Sequence, residues 1–438
     1  MKRKCLQQLG KDLRELTSVE MNMNYITERR GSTLTNEPYE ITDSDIRRMR
    51  IENQRDLDEC RKVTESSYRG ESYYADDKRP GDGKVNDFHM AFFKEVLYRD
   101  MKTAGFMMEY PHGVVISQGQ SNSYYRGENQ IYLKSQPSIY RALDRLESVE
   151  DRKIYRFVSE MRIAEFGRFL CRLGIVQFWM QNYGSVLFEP LAQHYGLETE
   201  WLDITSDFEV ALFFATCGWD SEKRNWYPLT REQTESSPEK QYGVIFHIPQ
   251  FAACTSQITS TLDWEGKEEY LSNVILPIGF QPFMRCHSQH AYGINMKKSF
   301  PLQEDITFEK LYFRHSEKLS REVFERMDGG KKIYPQEGLN DFTDIIDKIH
   351  DTTEFSQEAF EYVLNNSSYF TSVREAESAL LENEIFGAPI RILRDKEPIH
   401  VSRQRIRALN RKYEGFSIEK SYGIKLLTRS VFYGSPPA

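Results

Sequence analysis

The stretch "LETEWLDITSDFEVALFFATCGW", Leu197 to Trp219, decides the fold. A short apolar strand, Trp-Leu-Asp-Ile-Thr, runs straight into a hydrophobic helix with no loop between them. Ser206 and Glu209 fit the S-x-x-E capping box, which predicts Ser206 as the N-cap and a helix from Asp207. The helix carries apolar residues all round, so its place is in the interior. Asp203 and Thr205 share one face of the strand. A carboxylate among buried apolar neighbours requires a partner, and an arginine is the natural one.

Upstream, "IYRFVSEMRIAEFGRFLCRLGIVQFWMQNY" (Ile154 to Tyr183) reads as mostly helical despite Gly167 and Gly174. "LFEPLAQHYG" is a shorter helix that ends at Gly196, a C-cap glycine. It leaves His194 and Tyr195 at the helix end, where a histidine compensates the helix dipole. Further back, "HGVVISQGQSNSYYRGENQIYL" reads as strand, polar turn and strand. In the second strand Tyr124, Arg126 and Glu128 share one face and Tyr125 takes the other. An arginine held by such neighbours offers a bidentate fork to a phosphate or carboxylate. A near-copy, "SYRGES" (Ser67 to Ser72), lies in a charged, turn-rich setting and reads as a solvated loop.

Downstream, "RNWYPLTREQTESSPEKQ" reads as a polar insertion loop, and "YGVIFHI" and "NVILPIGF" as strands. "FMRCHSQHAYGINM", Phe283 to Met296, reads as a third extended segment with Arg285, His287 and Gln289 on one face. On an extended strand the spacing of His287 and His290 sends their rings to opposite faces, so HxxH is no metal site. From "EDITFEKLYFRHSEKLSREVFERM" onward the pattern is largely helical. An amphipathic helix, "DFHMAFFKEVLYRDMKTAGF", precedes the core. The organisation is a charged, helical lead-in over 1–105, a core domain over 106–335 and a mainly helical region over 336–438. The fold class is α+β: a small mixed, mainly antiparallel sheet packed with helices, with helical N- and C-terminal flanks.

The composition suits a folded protein, with 39% hydrophobic and 13% aromatic residues. A net charge of −8 gives no global basic field, which argues against a dedicated duplex-DNA binder. The basic run "VSRQRIRALNRKYEG" reads as a solvated helix face, with RNA binding as the lesser alternative. Cys5, Cys60, Cys171, Cys217, Cys254 and Cys286 stand far apart with no CxxC, the pattern of free thiols in a reducing compartment. The N-terminal "MKRKCLQQLGKDLREL" lacks a signal peptide's apolar core, and no window approaches the roughly 18 apolar residues of a membrane span. The expectation is a cytoplasmic protein with no membrane partner. Neither G-x-x-x-x-G-K-[ST] nor G-x-G-x-x-G occurs, and G-x-S-x-G and HExxH are also missing.

In order, "YYRGENQIYLKSQPSIYR", "LAQHYGLETEWLDITSDFEVALFFAT", "YGVIFHI" and "MRCHSQHAYGI" resemble the FRG domain family over roughly residues 110 to 300. Tyr125 stands where the family's name-giving triplet has phenylalanine. The late segment reads Gln289-His-Ala-Tyr-Gly293 where the family usually has Gln-x-Gly. The family's motif order resembles that of ADP-ribosyltransferases, which implies an ADP-ribosyltransferase-like core. By that analogy Arg126, with Gly127, would hold the NAD pyrophosphate or nicotinamide ribose. Thr205 or Ser206 would take the middle position, Tyr195 would stack on nicotinamide, and Gln289 would be the late residue. The implied cofactor-binding set is Arg126, Gly127, His194, Tyr195, Asp203 and Ser206, and the implied catalytic set is Gln289, Glu128 and Thr205, with no metal.

The resemblance thus implies an NAD-dependent ADP-ribosyltransferase or NAD glycohydrolase, a candidate toxin or phage-defence effector. NAD would be its substrate, and a protein or nucleic acid its acceptor. Cleaving the nicotinamide–ribose bond passes through an oxocarbenium-like state that a carboxylate near the ribose stabilises. Gln289 is neutral, which leaves Glu128 or Asp203 to supply the charge. The alternative is a non-catalytic module that uses the same pocket to sense a nucleotide, or its helical flanks to hold a partner protein.

Overall fold

The computed structural model describes residues 38–55, 104–110, 113–117, 123–249, 275–296, 301–305, 308–422 and 425–432. The strands are β1 (Tyr39–Glu40), β2 (Ala104–Tyr110), β3 (Gly113–Ser117), β4 (Ser123–Glu128), β5 (Trp201–Thr205), β6 (Cys217–Asp220) and β7 (Asn225–Pro228). They continue with β8 (Tyr242–Pro249), β9 (Ile275–Pro277), β10 (Ala291–Asn295), β11 (Glu309–Arg314), β12 (Glu354–Ser356), β13 (Arg391–Leu393) and β14 (Lys425–Phe432). The helices that position the site are α1 (residues 43–55), α2 (Val149–Cys171), α3 (Phe188–His194), α4 (Phe208–Thr216), α5 (Met284–Ser288) and α6 (Glu317–Arg326). Glu40–Ala438 forms one compact unit.

The main sheet has seven strands in the order β1-β11-β8-β4-β5-β10-β9. β8 is antiparallel to β4 from Ser123 opposite Pro249 to Glu128 opposite Val244, and β11 pairs antiparallel with the other side of β8. Two-residue alternation then sorts the side chains into two layers. Tyr124, Leu202, Ile204, Phe246, Ile248 and Tyr292 form one core, while Tyr125, Ile245, Leu311 and Phe313 join the helix layer of α4. β4 and β5 pair only at Tyr125 opposite Thr205, so they part just where Arg126 and Asp203 begin.

Gly127 permits the central close approach. A Cβ built on it would lie 1.7 Å from the carbonyl oxygen of Ala211 and 3.0 Å from the nitrogen of Ala215, both backbone atoms of α4. No side chain fits there, and only glycine lets α4 lie flat on β4.

The start of α4 lies one residue beyond the expected point. Asp207, not Ser206, is the N-cap, accepting the N–H of Glu209 on its carboxylate, and the helix begins at Phe208. Thr205 takes the turn inward by accepting the Asp207 N–H at 3.0 Å. The Asn53 side chain closes the turn from α1, donating to the Ser206 carbonyl and accepting from the Phe208 N–H, both at 3.1 Å. Glu209 does not complete a capping box: Arg50 grips it with two bonds and Arg326 with a third.

Several other expectations change in three dimensions. Phe283–Met296 is not one extended segment: α5 occupies Met284–Ser288, and β10 starts only at Ala291. Phe283 and Cys286 are buried one helical turn apart, and His290, at φ 47°, turns the chain from helix to strand. Glu309–Arg314 is a strand within the region expected to be helical, its alternating Leu311 and Phe313 being buried against the helix layer. The supposed insertion loop contains β7, paired with β6, and a short helix opened by a Thr230–Gln233 capping box. Its Trp226 packs on Phe213 and Phe214. Residues 104–106, expected to end a helix, lie in β2, while most of that helix and the near-copy at 67–72 fall outside the described residues.

α2 is the spine of the C-terminal half. Its first turns bury Ile154, Phe157 and Met161 against Phe355, Phe360, Phe370 and Leu380. Its later turns bury Phe166, Phe169 and Leu170 in a core shared with Leu339, Ile345, Leu409 and Tyr422. The helices after residue 335 are therefore continuous with the core that carries the sheet. Small sheets β14-β2-β3 and β12-β13 contribute the parallel pairs, β14 with β2 and β12 with β13. Among the described residues no helix is long and apolar enough to cross a membrane.

Gly127→Ala should destabilise the chain by about 3 kcal/mol or more, the upper range of overpacking costs, because the obstacle is main chain. Urea unfolding checks this. An unchanged midpoint would mean that α4 does not rest on β4 at this position.

Candidate functional site

Arg126 leaves β4 on the face opposite Gly127 and bends to the gap between β4 and β5. Its Nη1 donates to the main-chain oxygen of Asp203 at 2.7 Å, and its Nε to Glu128 Oε1 at 2.9 Å. Glu128 is buried, and its second oxygen accepts from the Ser135 hydroxyl at 2.7 Å. This carboxylate is committed to holding Arg126. Arg141 stands close enough that, after its own desolvation, the Arg126 charge is the next influence lowering its pKa. Two cations in one neighbourhood favour an anionic ligand.

On the other face, Asp203 Oδ1 is buried without a hydrogen-bond partner and lies 3.7 Å from His194 Nε2, which also has none. The His194 side chain is only 2% exposed, whereas that of Asp203 is 32% exposed and reachable by solvent. Burial lowers the pKa of His194 and outweighs the opposing pull of Asp203, and the Arg285 charge lowers it further. The imidazole is therefore held neutral beside an accessible carboxylate.

Arg285 completes this side from α5. Its guanidinium lies over the Tyr195 ring at 4.0 Å and the Tyr334 ring at 4.9 Å, a double cation–π stack. Its Nη1 donates to the main-chain oxygen of His194 at 2.6 Å. Among the described residues no carboxylate lies within ion-pair distance of Arg285. Nearby Glu337 is taken by the Met284 N–H and the Tyr413 hydroxyl, and burial raises its pKa.

The remaining expected residues are turned to structural use. The Thr205 hydroxyl donates to the main-chain oxygen of Gln289 at 2.7 Å while it supports the α4 turn. Gln289 is buried at the end of α5, and its Nε2 donates to the Ile333 oxygen at 3.1 Å. Ser206 is fully buried, its N–H donating to the His290 oxygen. Gly127 meets the helix. Arg126, His194, Tyr195, Asp203, Thr205 and Gln289 thus lie around β5, with Arg126 on the opposite face from Asp203, and of them Arg126 and Asp203 have part-exposed polar side chains while His194 is buried behind Asp203.

Arg285 shares a face with His287 and Gln289 in an extended reading, but only the helix brings it over Tyr195. Tyr334 has no signal in the sequence and arrives from the far end of the core. His287 and His290, placed by α5 and the turn after it, have ring centroids 6.2 Å apart and do not point to opposite faces. With Phe280, Cys286 and Tyr292 they line a cavity of about 10 Å³. Among the described residues no group of three or more His, Cys, Asp or Glu could hold a metal ion. Cys171, Cys217 and Cys286 are free thiols.

Residues 121–224 match the FRG domain family, so the chain carries an FRG domain from just before β4 to just before β7. The match includes Arg126, Gly127, Glu128, His194, Tyr195, Asp203, Thr205 and Ser206, whereas Arg285, Gln289 and Tyr334 lie beyond it. No curated protein and no solved structure matches the chain.

His194 takes up its proton at lower pH when folded than when unfolded, where the ordinary value is 6.5. Folded stability should therefore fall as the pH drops below that value. Between about pH 7 and about pH 5, the wild type should lose thermal stability relative to His194→Gln. Parallel profiles for the two proteins would refute a buried neutral His194.

Proposed function

We propose that this site binds NAD and breaks its nicotinamide–ribose bond, acting as an ADP-ribosyltransferase or an NAD glycohydrolase. The observation that carries the reading is the Asp203 carboxylate: part-exposed, with its buried Oδ1 unbonded and backed by a neutral histidine, while Arg126 bonds the main-chain oxygen of Asp203 and Arg285 that of His194. Cleavage moves the bonding electron pair from the ribose carbon onto the nicotinamide nitrogen and leaves positive charge on the ribose. Asp203, accepting from a ribose hydroxyl, stabilises that charge more in the transition state than in the ground state. A water, or a hydroxyl of a protein or nucleic-acid acceptor, then adds to the ribose carbon and releases its proton.

In this reading Arg126 reaches the pyrophosphate at the gap where β4 and β5 part, since its side chain leaves the face opposite Asp203, and Arg285 meets it from the Asp203 side; a planar fork suits the pyrophosphate better than a point charge. Tyr195 acts by holding Arg285 flat, since one face of its ring is already covered. Glu128 and Gln289, both committed to protein partners, support the site without reacting. The same commitment favours a second reading, a module that binds a nucleotide and leaves it intact.

Labelled NAD separates the two. The first reading expects nicotinamide release or label transfer that falls about 100- to 1,000-fold in Asp203→Asn with NAD binding retained, the usual effect of losing one group aimed at transition-state charge. Turnover no higher than in Arg126→Ala would sink it. Saturable binding without turnover, lost in Arg126→Ala, would establish the second reading.

A further inference from the structure

A second group of polar residues crosses the main sheet away from Asp203. His247 on β8 sits directly opposite Tyr125 on β4 and directly opposite Glu309 on β11. Directly paired residues share a face, and Ser123, two residues before Tyr125, shares it too. The result is a three-strand polar row. Glu309 Oε2 lies 2.6 Å from His247 Nδ1, and His247 Nε2 lies 3.1 Å from the Ser123 hydroxyl.

The chemistry of the row has a direction. A carboxylate only accepts, so the proton on the imidazole sits at Nδ1 and is donated to Glu309. Nε2 is then the acceptor and takes its hydrogen bond from the serine hydroxyl. The imidazole cannot easily rotate out of this arrangement. Its ring stacks on Tyr125 with centroids 4.9 Å apart and planes 13° apart, and its side chain is 6% exposed. Ser123, at the start of β4, is half-buried and not sealed in. A nucleophile, a base within hydrogen-bond reach and a third group that orients the base make up the serine-nucleophile constellation, which is recognised by geometry and not by sequence order.

We propose that Ser123 is a nucleophile that accepts an acyl group from an ester, with His247 as its base and Glu309 as the positioning residue. Ser123 Oγ bonds to the ester carbonyl carbon while its proton passes to His247 Nε2. The carbon–oxygen ester bond breaks, and the leaving alkoxide takes that proton. Water then attacks the acyl-serine and gives a proton to Nε2; the Ser123 oxygen leaves and regains it, releasing a carboxylic acid. The row makes no use of NAD, so this activity stands or falls separately from the one at Asp203.

A fluorophosphonate probe tests this on the full chain, because its phosphorus takes the place of the acyl carbon and fluoride leaves. Peptide mapping of the folded wild type should find the adduct on Ser123. The labelling rate should fall about 100-fold or more in His247→Gln, the size of a general-base contribution. Glu309→Gln, which keeps the shape of the side chain, should slow labelling less, and Ser123→Ala should show no adduct. Folded wild type without an adduct at Ser123 would overturn the proposal on its own. Equal labelling rates in wild type, His247→Gln and Glu309→Gln would overturn it as well.

Discussion

The structure depends on the absence of one side chain. At Gly127 the main chains of β4 and α4 come so close that a single methyl group would overlap the Ala211 carbonyl. Because strand neighbours point in opposite directions, a glycine that faces the helix forces Arg126 to face away from it. The Arg-Gly pair therefore works as a unit. Glycine seats the helix, and arginine is delivered to the far face beside a gap where β4 and β5 no longer pair. An arginine in the middle of a regular ladder would have had main-chain partners already satisfied; here it finds the Asp203 oxygen left open by the parting strands.

The seating of α4 also explains why several polar side chains near the strand end are bonded to main chain. A helix start that follows a strand without a loop leaves several N–H groups to satisfy in very little space. Asp207 caps one, Thr205 takes another, and Asn53 reaches in from α1 for a third. Thr205 is left with its hydroxyl turned toward Gln289, and Gln289 with its amide turned toward Ile333. Asp203, two residues before Thr205 on the same face, is outside this network, and its carboxylate has an oxygen to spare.

Much of this could be read from the sequence where the signal is local. The strand-to-helix passage at Leu197–Trp219, the alternation of Tyr124, Tyr125 and Arg126, and the glycine after α3 each follow from two or four neighbouring residues. Misreadings arise where a short element has two consistent patterns. Residues 283–288 alternate like a strand, yet bury Phe283 and Cys286 at a helical interval, and packing chose a helix over Met284–Ser288. Residues 309–314 sit in a helix-rich context, but β8 needed a partner on its outer side and the strand won. Ser206 and Glu209 have capping-box spacing, but Arg50 and Arg326 outbid the backbone for Glu209. Tyr334, His247 and Glu309 were illegible because their meaning lies wholly in contacts between distant strands and loops.

β4 is six residues long and yet lies at both proposed sites, and its geometry explains how. Its odd positions, Ser123, Tyr125 and Gly127, face α4, while Tyr124, Arg126 and Glu128 face the other core. Tyr125 divides the odd face: on one side of it Gly127 admits no side chain, and on the other Ser123 meets a histidine whose ring Tyr125 itself holds flat. At the Gly127 end the polar group on this face, Asp203, comes from β5, and at the Ser123 end His247 and Glu309 come from β8 and β11. The proposed NAD site and the proposed acyl site are separated by a packing constraint, not by distance along the chain. Replacing Tyr125 with phenylalanine, the residue the family's triplet carries, would keep that division intact, since the ring and not the hydroxyl does the stacking.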